Sequence, residues 1–354
     1  MHIEKHRTIE APFAWKGIDL QSSTEWIRPF SSCELDEIDA ALKAVKRRGL
    51  NWLGVTREDF PLPEFAKELA RIARELETGR GMILLRGLPL EYSPEDLQTV
   101  YWGIGTHLGT AVSQGGRGEL LARVEDELKE VENTKLRGSK TARALPFHGD
   151  RCDVVGLLCV RKAKSGGVSR IVAAAAIHNE VLRRRPDLID VFYSDWHNSR
   201  QGDERPGESR AYPKPIFGFR DGHFTGLFSP AYIRFAQEFP EVPRLTQAQE
   251  EALELFGDLA EELALDMSFE PGDIQLLNNH LIYHARTRYE DHEEEEKKRL
   301  LLRLWLSVPG SRPLPSGYEL LFGSIEAGAL RGGVVAREGW RFVTELRARQ
   351  RTRV

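Results

Sequence analysis

Cysteine is scarce in this chain, which carries only Cys33, Cys152 and Cys159 in 354 residues. No CxxC spacing joins them, and an odd count in a long chain argues against a disulfide framework. A reducing, cytoplasmic setting is therefore expected. No run approaches 18 consecutive apolar residues, so no membrane span is predicted. The opening residues Met1-His2-Ile3-Glu4-Lys5-His6 have no apolar stretch, and no secretory signal is expected. Charge of one sign is lacking as well: the formal net charge is −4. Neither nucleic acid nor a membrane surface is expected as the main partner. Internal repeats are absent.

What remains is ordinary soluble-globular material. Hydrophobic residues make up 41% and charged residues 29%, enough to bury a large core. The length is compatible with two domains or one barrel. The reading adopted is a single domain over 1–354, with a core at about 75–318, an N-terminal helical cap at 1–74 and an arginine-rich tail at 325–354.

Local signals place the elements. Ser31 and Glu34 have capping-box spacing, followed by Leu35, Ile38, Leu42 and Val45 at helical intervals. A second helix is predicted over 63–78, and a buried strand over Met82–Leu85. Ser93-Pro94 opens a helix running to about His107. Residues 110–146 are polar and glycine-dotted, the pattern of a functional lid or of a partly disordered stretch. Val154–Val160, the Lys164–Gly167 turn and Val168–Val172 read as a hairpin or meander, and a helix is predicted over 174–193. Asp221-Gly222 between aromatic runs signals a hairpin. Thr246 and Gln249 start a helix that buries Leu253, Phe256, Ala260 and Leu263. From Arg299 to Val308 the chain alternates strictly, with Arg299, Leu301, Arg303, Trp305 and Ser307 on one face and aliphatic residues on the other. Many short strands with helices outside them predict an α+β protein, a β-barrel or double-sheet jelly roll with helical cover.

The chemistry centres on His148-Gly149-Asp150. On a strand, residues i and i+2 share a face, so imidazole and carboxylate can grip one metal ion from one side. A distant histidine completes a two-histidine, one-carboxylate set with open positions, the ligand set of non-heme Fe(II) oxygenases. His284 is the candidate, although His280 shares its segment and spacing alone does not separate them. The rival pair His178/Glu180 lies in a predicted helix, where i and i+2 face apart, and is rejected. Arg299 and Arg303 on a largely apolar strand need anionic partners, and a guanidinium fork suits a carboxylate. Ser169, after the Gly166-Gly167 turn, is read on its own as a plain strand-edge serine.

These residues occur in a recognisable order. The runs Phe147–Cys159, Ser165-Gly166-Gly167-Val168-Ser169, Pro271–His280, His284-Ala285-Arg286-Thr287 and Arg299–Leu306 together resemble the TauD/TfdA family of Fe(II)- and 2-oxoglutarate-dependent dioxygenases. The resemblance spans roughly residues 75–315. It implies a clavaminate-synthase-like fold, with a double-stranded β-helix (jelly-roll) core flanked by helices. It also implies iron held by His148, Asp150 and His284, and 2-oxoglutarate held by Arg299 and Ser169. Arg303 is implied at the substrate, and Arg286 is read with it as a second anion-binding group. The implied reaction consumes O2 and releases succinate and CO2, with hydroxylation as the default outcome. A carboxylate at 150, where related halogenases leave room for chloride, disfavours halogenation. The chain departs from the usual His-Thr-Asp at Gly149, and from a common Thr-Asn at Thr141-Ala142.

The expected substrate is a small anionic, carboxylate- or amino-acid-like molecule. The arginine-rich tail leaves room for a homo-oligomer. Two other readings use the same residues: a zinc-dependent hydrolase, and a non-catalytic small-anion-binding protein.

Overall fold

The strand Leu300–Ser307 is buried along its whole length, because its two faces serve two different cores. In the computed structural model, residues 4–126, 141–204 and 207–335 are described. The arginines from Arg337 onward and the charged centre of the 110–146 segment lie outside the described residues. The Leu300–Ser307 strand belongs to a seven-stranded sheet ordered Ile27–Pro29, Met82–Arg86, Ile274–Asn278, Val154–Arg161, Leu300–Ser307 and Thr110–Ala111, with Leu121–Val124 also pairing on Leu300–Ser307. A four-stranded sheet is ordered Leu265–Met267, Ser169–Ala173, Ile282–Arg286 and Leu145–His148. The chain is thus an α+β double-sheet jelly roll with helices outside it.

Strand alternation sorts side chains between the cores. Leu302, Leu304, Leu306, Ile274 and Leu276 pack under the N-terminal helices. Leu301, Trp305, Leu277, Met82 and Leu84 face the space shared with the smaller sheet. Those helices start where their sequences dictate. Ser31 Oγ accepts from Glu34 N while the Glu34 carboxylate accepts from Ser31 N, opening Ser32–Arg47. Such a cap contributes about 1 kcal/mol. Ser93 Oγ caps Pro94–Leu108 by accepting from Asp96 N, and Phe65–Thr78 lies between the two helices in sequence. On the other side, Thr246 and Gln249 form the expected box before Gln247–Leu263.

Three expectations need correction. The Val154–Arg161 and Ser169–Ala173 strands do not form a hairpin: they belong to different sheets, and the two-residue strand Ser165–Gly166 between them pairs with Tyr289–Glu290. The predicted helix over 174–193 stops at Arg184, and Pro186 opens a separate 3-10 turn before a short helix, Ile189–Phe192, because proline cannot continue the helical ladder. The strand carrying His148 ends at His148, so Asp150 is not positioned by strand pleating.

Candidate active site

His284 sits directly opposite His148 in the smaller sheet, where Ile282–Arg286 pairs antiparallel with Leu145–His148. Their imidazole rings are 4.3 Å apart between centroids. Asp150 approaches from the loop beyond the strand. Gly149 N donates to Phe228 O, which turns the chain out of the ladder. Asn279 then holds the loop: its Oδ1 accepts from Asp150 N at 3.1 Å, and its Nδ2 donates to the carbonyls of Asp150 and Cys152. The result matches what pleating was expected to achieve. Asp150 Oδ1 lies 3.8 Å from His148 Nε2, and Asp150 Oδ2 lies 3.6 Å from His284 Nε2. One ligand atom from each of the three residues lies within 4.8 Å of the others, and among the described residues no other His, Cys, Asp or Glu group of three does this.

The protonation of this cluster fits a cation. Burial, and then His148, push the His284 imidazole down to about 3, so it stays neutral with one ring-nitrogen lone pair available. Burial alone would raise Asp150; Arg303, the two histidines and Trp305 outweigh it and hold the carboxyl below its usual range. The His148 ring bonds Pro146 O through Nδ1 at 2.9 Å, which leaves Nε2 facing Asp150. A metal-binding histidine is commonly oriented by such a bond from its other nitrogen.

A cavity opens beside the three residues. It is lined by Ser169, His284, Arg286, Arg299 and Arg303, with Leu157, Leu301 and Phe269 among its apolar walls. Arg299 is 4% exposed, and its Nη1 is buried without a hydrogen-bond partner. Arg286 spends Nη2 on the carbonyls of Thr141 and Arg143 but leaves Nε unpartnered. Both guanidiniums lie over the Tyr289 ring, at 4.8 Å for Arg286 and 5.0 Å for Arg299. Burial lowers the pKa of both, and Arg299 adds to the effect on Arg286, which falls to about 10. Two adjacent buried cations with unspent donors call for an anion, and buried polar groups are seldom left unpaired. Ser169 is held by Gln275, whose Nε2 donates to Ser169 Oγ at 3.1 Å, and it stands across the strand pair from Arg286.

Arg303 is committed differently. Its Nε donates to Gln114 Oε1 at 2.7 Å, and its Nη1 lies 3.5 Å from Asp150 Oδ2. His280 and His178 stay out of the cluster. His280 pairs with Asp153 at 2.8 Å, and His178 sits in an aromatic core against Tyr193, Phe217 and Phe224. Glu180, the other half of the rejected pair, is taken by Lys16, Arg183 and Arg184. Sequence reasoning missed Asn279, Gln114 and Arg151. Arg151 follows Asp150, is 8% exposed, and keeps Nη2 buried without a partner. The nearest signal was the charge pattern of Asp150-Arg151-Cys152-Asp153, which does not say where the arginine points.

Comparison with known proteins agrees with this geometry. Residues 46–305 match the profile of the taurine catabolism dioxygenase TauD, TfdA family. FR-33289 synthase of Streptomyces rubellomurinus is 33% identical over 85% of this chain and 91% of its own length. A taurine hydroxylase-like protein of Stachybotrys chartarum is 32% identical over 82% of this chain and 77% of its own. Among solved structures, an asparagine oxygenase in complex with Fe(II), 2S,3S-3-hydroxyasparagine and succinate superposes with a TM-score of 0.64 at 15% identity, covering 80% of this chain and 94% of that one. The non-heme iron oxygenase OrfP in complex with Fe and alpha-ketoglutaric acid gives 0.60 at 13% identity, covering 79% and 94%. At such identities the two structures bear on the fold, and both share it. The chain belongs to the TauD/TfdA family and is a non-heme Fe(II)- and 2-oxoglutarate-dependent dioxygenase.

Proposed function

We propose that His148, Asp150 and His284 hold Fe(II), that Arg299 and Ser169 seat the distal carboxylate of 2-oxoglutarate, and that the enzyme hydroxylates a small anionic, amino-acid-like metabolite. The observation that carries this reading is the meeting of the three ligand residues beside the unspent Nη1 of Arg299. When bound, iron and 2-oxoglutarate together supply the oxygen activation, with succinate and CO2 as co-products.

The protein's own residues orient and neutralise. Arg299, buried on the Tyr289 ring, offers a guanidinium edge to a carboxylate where water competes poorly. Each charge-assisted bond of this kind contributes on the order of 1.5–3 kcal/mol. Ser169 can add a hydroxyl donor from the neighbouring strand. Leu157, Leu301 and Phe269 keep the cavity apolar between its charged points.

The anionic substrate class rests on surplus positive charge. Arg286, Arg299 and Arg303 line the cavity, and Asp150 engages only Arg303 directly. Arg286 and Arg303 are the proposed substrate contacts. The asparagine oxygenase holds 3-hydroxyasparagine, and OrfP has also been solved with Fe, succinate and (3S)-hydroxy-L-Arg, which supports an amino-acid-like substrate. No described helix is long and apolar enough to cross a membrane. The three cysteines are unpaired, in keeping with a reducing cytoplasmic setting, and residues 1–354 are read as one catalytic domain.

The test is oxygen uptake with succinate formation by anaerobically reconstituted protein, followed by a screen of amino acids and small carboxylates for compounds that accelerate it. Under anaerobic conditions Fe(II) plus 2-oxoglutarate should give a weak visible charge-transfer band that disappears in Asp150→Ala. Folded, iron-loaded protein that shows neither band nor succinate would refute the assignment.

A further inference from the structure

Asp150 can meet a cation through one oxygen or through both, and the difference matters for this reaction. Building on the site reading above, three one-atom protein ligands leave three positions of a six-coordinate ion open. The co-substrate needs two and oxygen the third. Ligation through both Asp150 oxygens would remove one of those three.

The backbone does not make this choice. Each carboxylate oxygen faces an imidazole nitrogen at a similar distance, Oδ1 to His148 at 3.8 Å and Oδ2 to His284 at 3.6 Å. The hydrogen bonds do distinguish them. Trp305 Nε1 donates to Oδ2 at 2.8 Å, and Arg303 Nη1 reaches the same oxygen at 3.5 Å. Among the described residues Oδ1 receives no hydrogen bond.

We infer that Trp305 is a positioning residue whose indole N–H occupies Asp150 Oδ2, holding the carboxylate to one-oxygen ligation and keeping the oxygen position open. The indole is suited to this. It is 4% exposed and fixed on the Leu300–Ser307 strand, with its carbonyl accepting from Val112 N. The Arg303 guanidinium covers its ring at 4.9 Å. Its N–H is a donor only, so it cannot itself become a ligand. Arg303 is a less directed partner, at longer range and already tied to Gln114.

The experiment uses the whole protein as Trp305→Phe, which keeps the aromatic bulk and removes the donor. Anaerobic Fe(II) and 2-oxoglutarate are added first, then nitric oxide as an oxygen surrogate, read by electron paramagnetic resonance. Expected is a 2-oxoglutarate charge-transfer band in both proteins, with nitric oxide affinity at least tenfold weaker in the variant. Equal nitric oxide binding within twofold, with the band present, overturns the Trp305 role alone. Absence of the band in the wild-type protein overturns the site reading and this role together. A second measurement avoids any folding defect of the variant. In wild-type protein labelled with 15N at its seven tryptophans, the Trp305 N–H should remain protected from solvent exchange when Zn(II) occupies the site. Rapid exchange would overturn the proposal.

Discussion

Arg331 donates from Nε to Asp153 Oδ1 at 2.7 Å, with the two side chains 0% and 2% exposed. This pair fastens the last described segment to the loop that carries Asp150. Gly333 N donates to Arg151 O in the same region, and His280, Ser307 and the Val308 amide complete the surroundings of Asp153.

Removing one partner of a buried ion pair leaves an uncompensated charge, at a cost of about 3–5 kcal/mol. Arg331→Ala is expected to lose that much in urea-induced unfolding, with Arg331→Lys recovering part. A loss below about 1 kcal/mol would show that Asp153 is satisfied without Arg331.

Acid should weaken the fold through buried neutral histidines. Burial pushes His280 down to about 4 despite its bond to Asp153, so Nε2–H donates as a neutral group to a carboxylate balanced by Arg331. The unfolded chain titrates near the ordinary histidine value of about 6.5. Between about 4 and about 6.5 the unfolded state therefore binds more protons, and stability falls as pH falls. The slope from one such group is at most about 1.4 kcal/mol per pH unit. His107, His178 and His284 are shifted in the same direction. His280→Gln should make stability less dependent on pH in this window; an unchanged slope would mean that His280 titrates in the fold as it does in the unfolded chain.

Arg299→Ala should raise the apparent KM for 2-oxoglutarate at least tenfold and leave that for the substrate nearly unchanged. Arg299→Lys should fall between, since an ammonium keeps the charge but loses the two-point fork. Steady-state succinate release against both reactants decides it, and equal effects on the two KM values would reassign the residue.

Gly149 is enforced by packing. A Cβ there would come within 2.6 Å of Leu227 Cδ1. Leu227 cannot retreat freely, because it packs with Leu314, Tyr318 and Phe322. Gly149→Ala should cost about 1–3 kcal/mol as an overpacked core substitution. Combined with Leu227→Val, the loss should be smaller than the sum of the single losses in a double-mutant cycle. Strict additivity would mean the clash is relieved elsewhere.

Local signals made much of the scaffold legible. Ser31/Glu34, Ser93-Pro94 and Thr246/Gln249 each opened the helix they announced, because capping is a contact over three residues. The alternation from Arg299 to Val308 appeared as a strand at Leu300–Ser307. His148, Asp150 and His284 could be proposed from their residue types, yet the reason offered for the first two was incomplete. Asp150 is aimed by Asn279, a partner 129 residues away that no periodicity reveals. Nor could spacing choose between His280 and His284, since the choice depends on Asp153 and Arg331 claiming the former. The alternation put Trp305 on the face of Arg299 and Arg303 without saying what it does there; it is buried like a core residue, and its N–H, turned to Asp150, sets it apart.

The double-faced Leu300–Ser307 strand also constrains how the gene can change. Side chains on a strand alternate with a period of two, so a one-residue slip moves each to the opposite face. Losing a single codon between those for Arg299 and Trp305 would turn one of these groups toward the leucine-lined helical core and an aliphatic residue toward the ligand cluster. Such a deletion should be far more damaging than any one conservative replacement in the strand. Length variation among descendants of this sequence is therefore expected in the flanking turns, such as the exposed Glu293–Glu296 run, with the strand itself held at constant length.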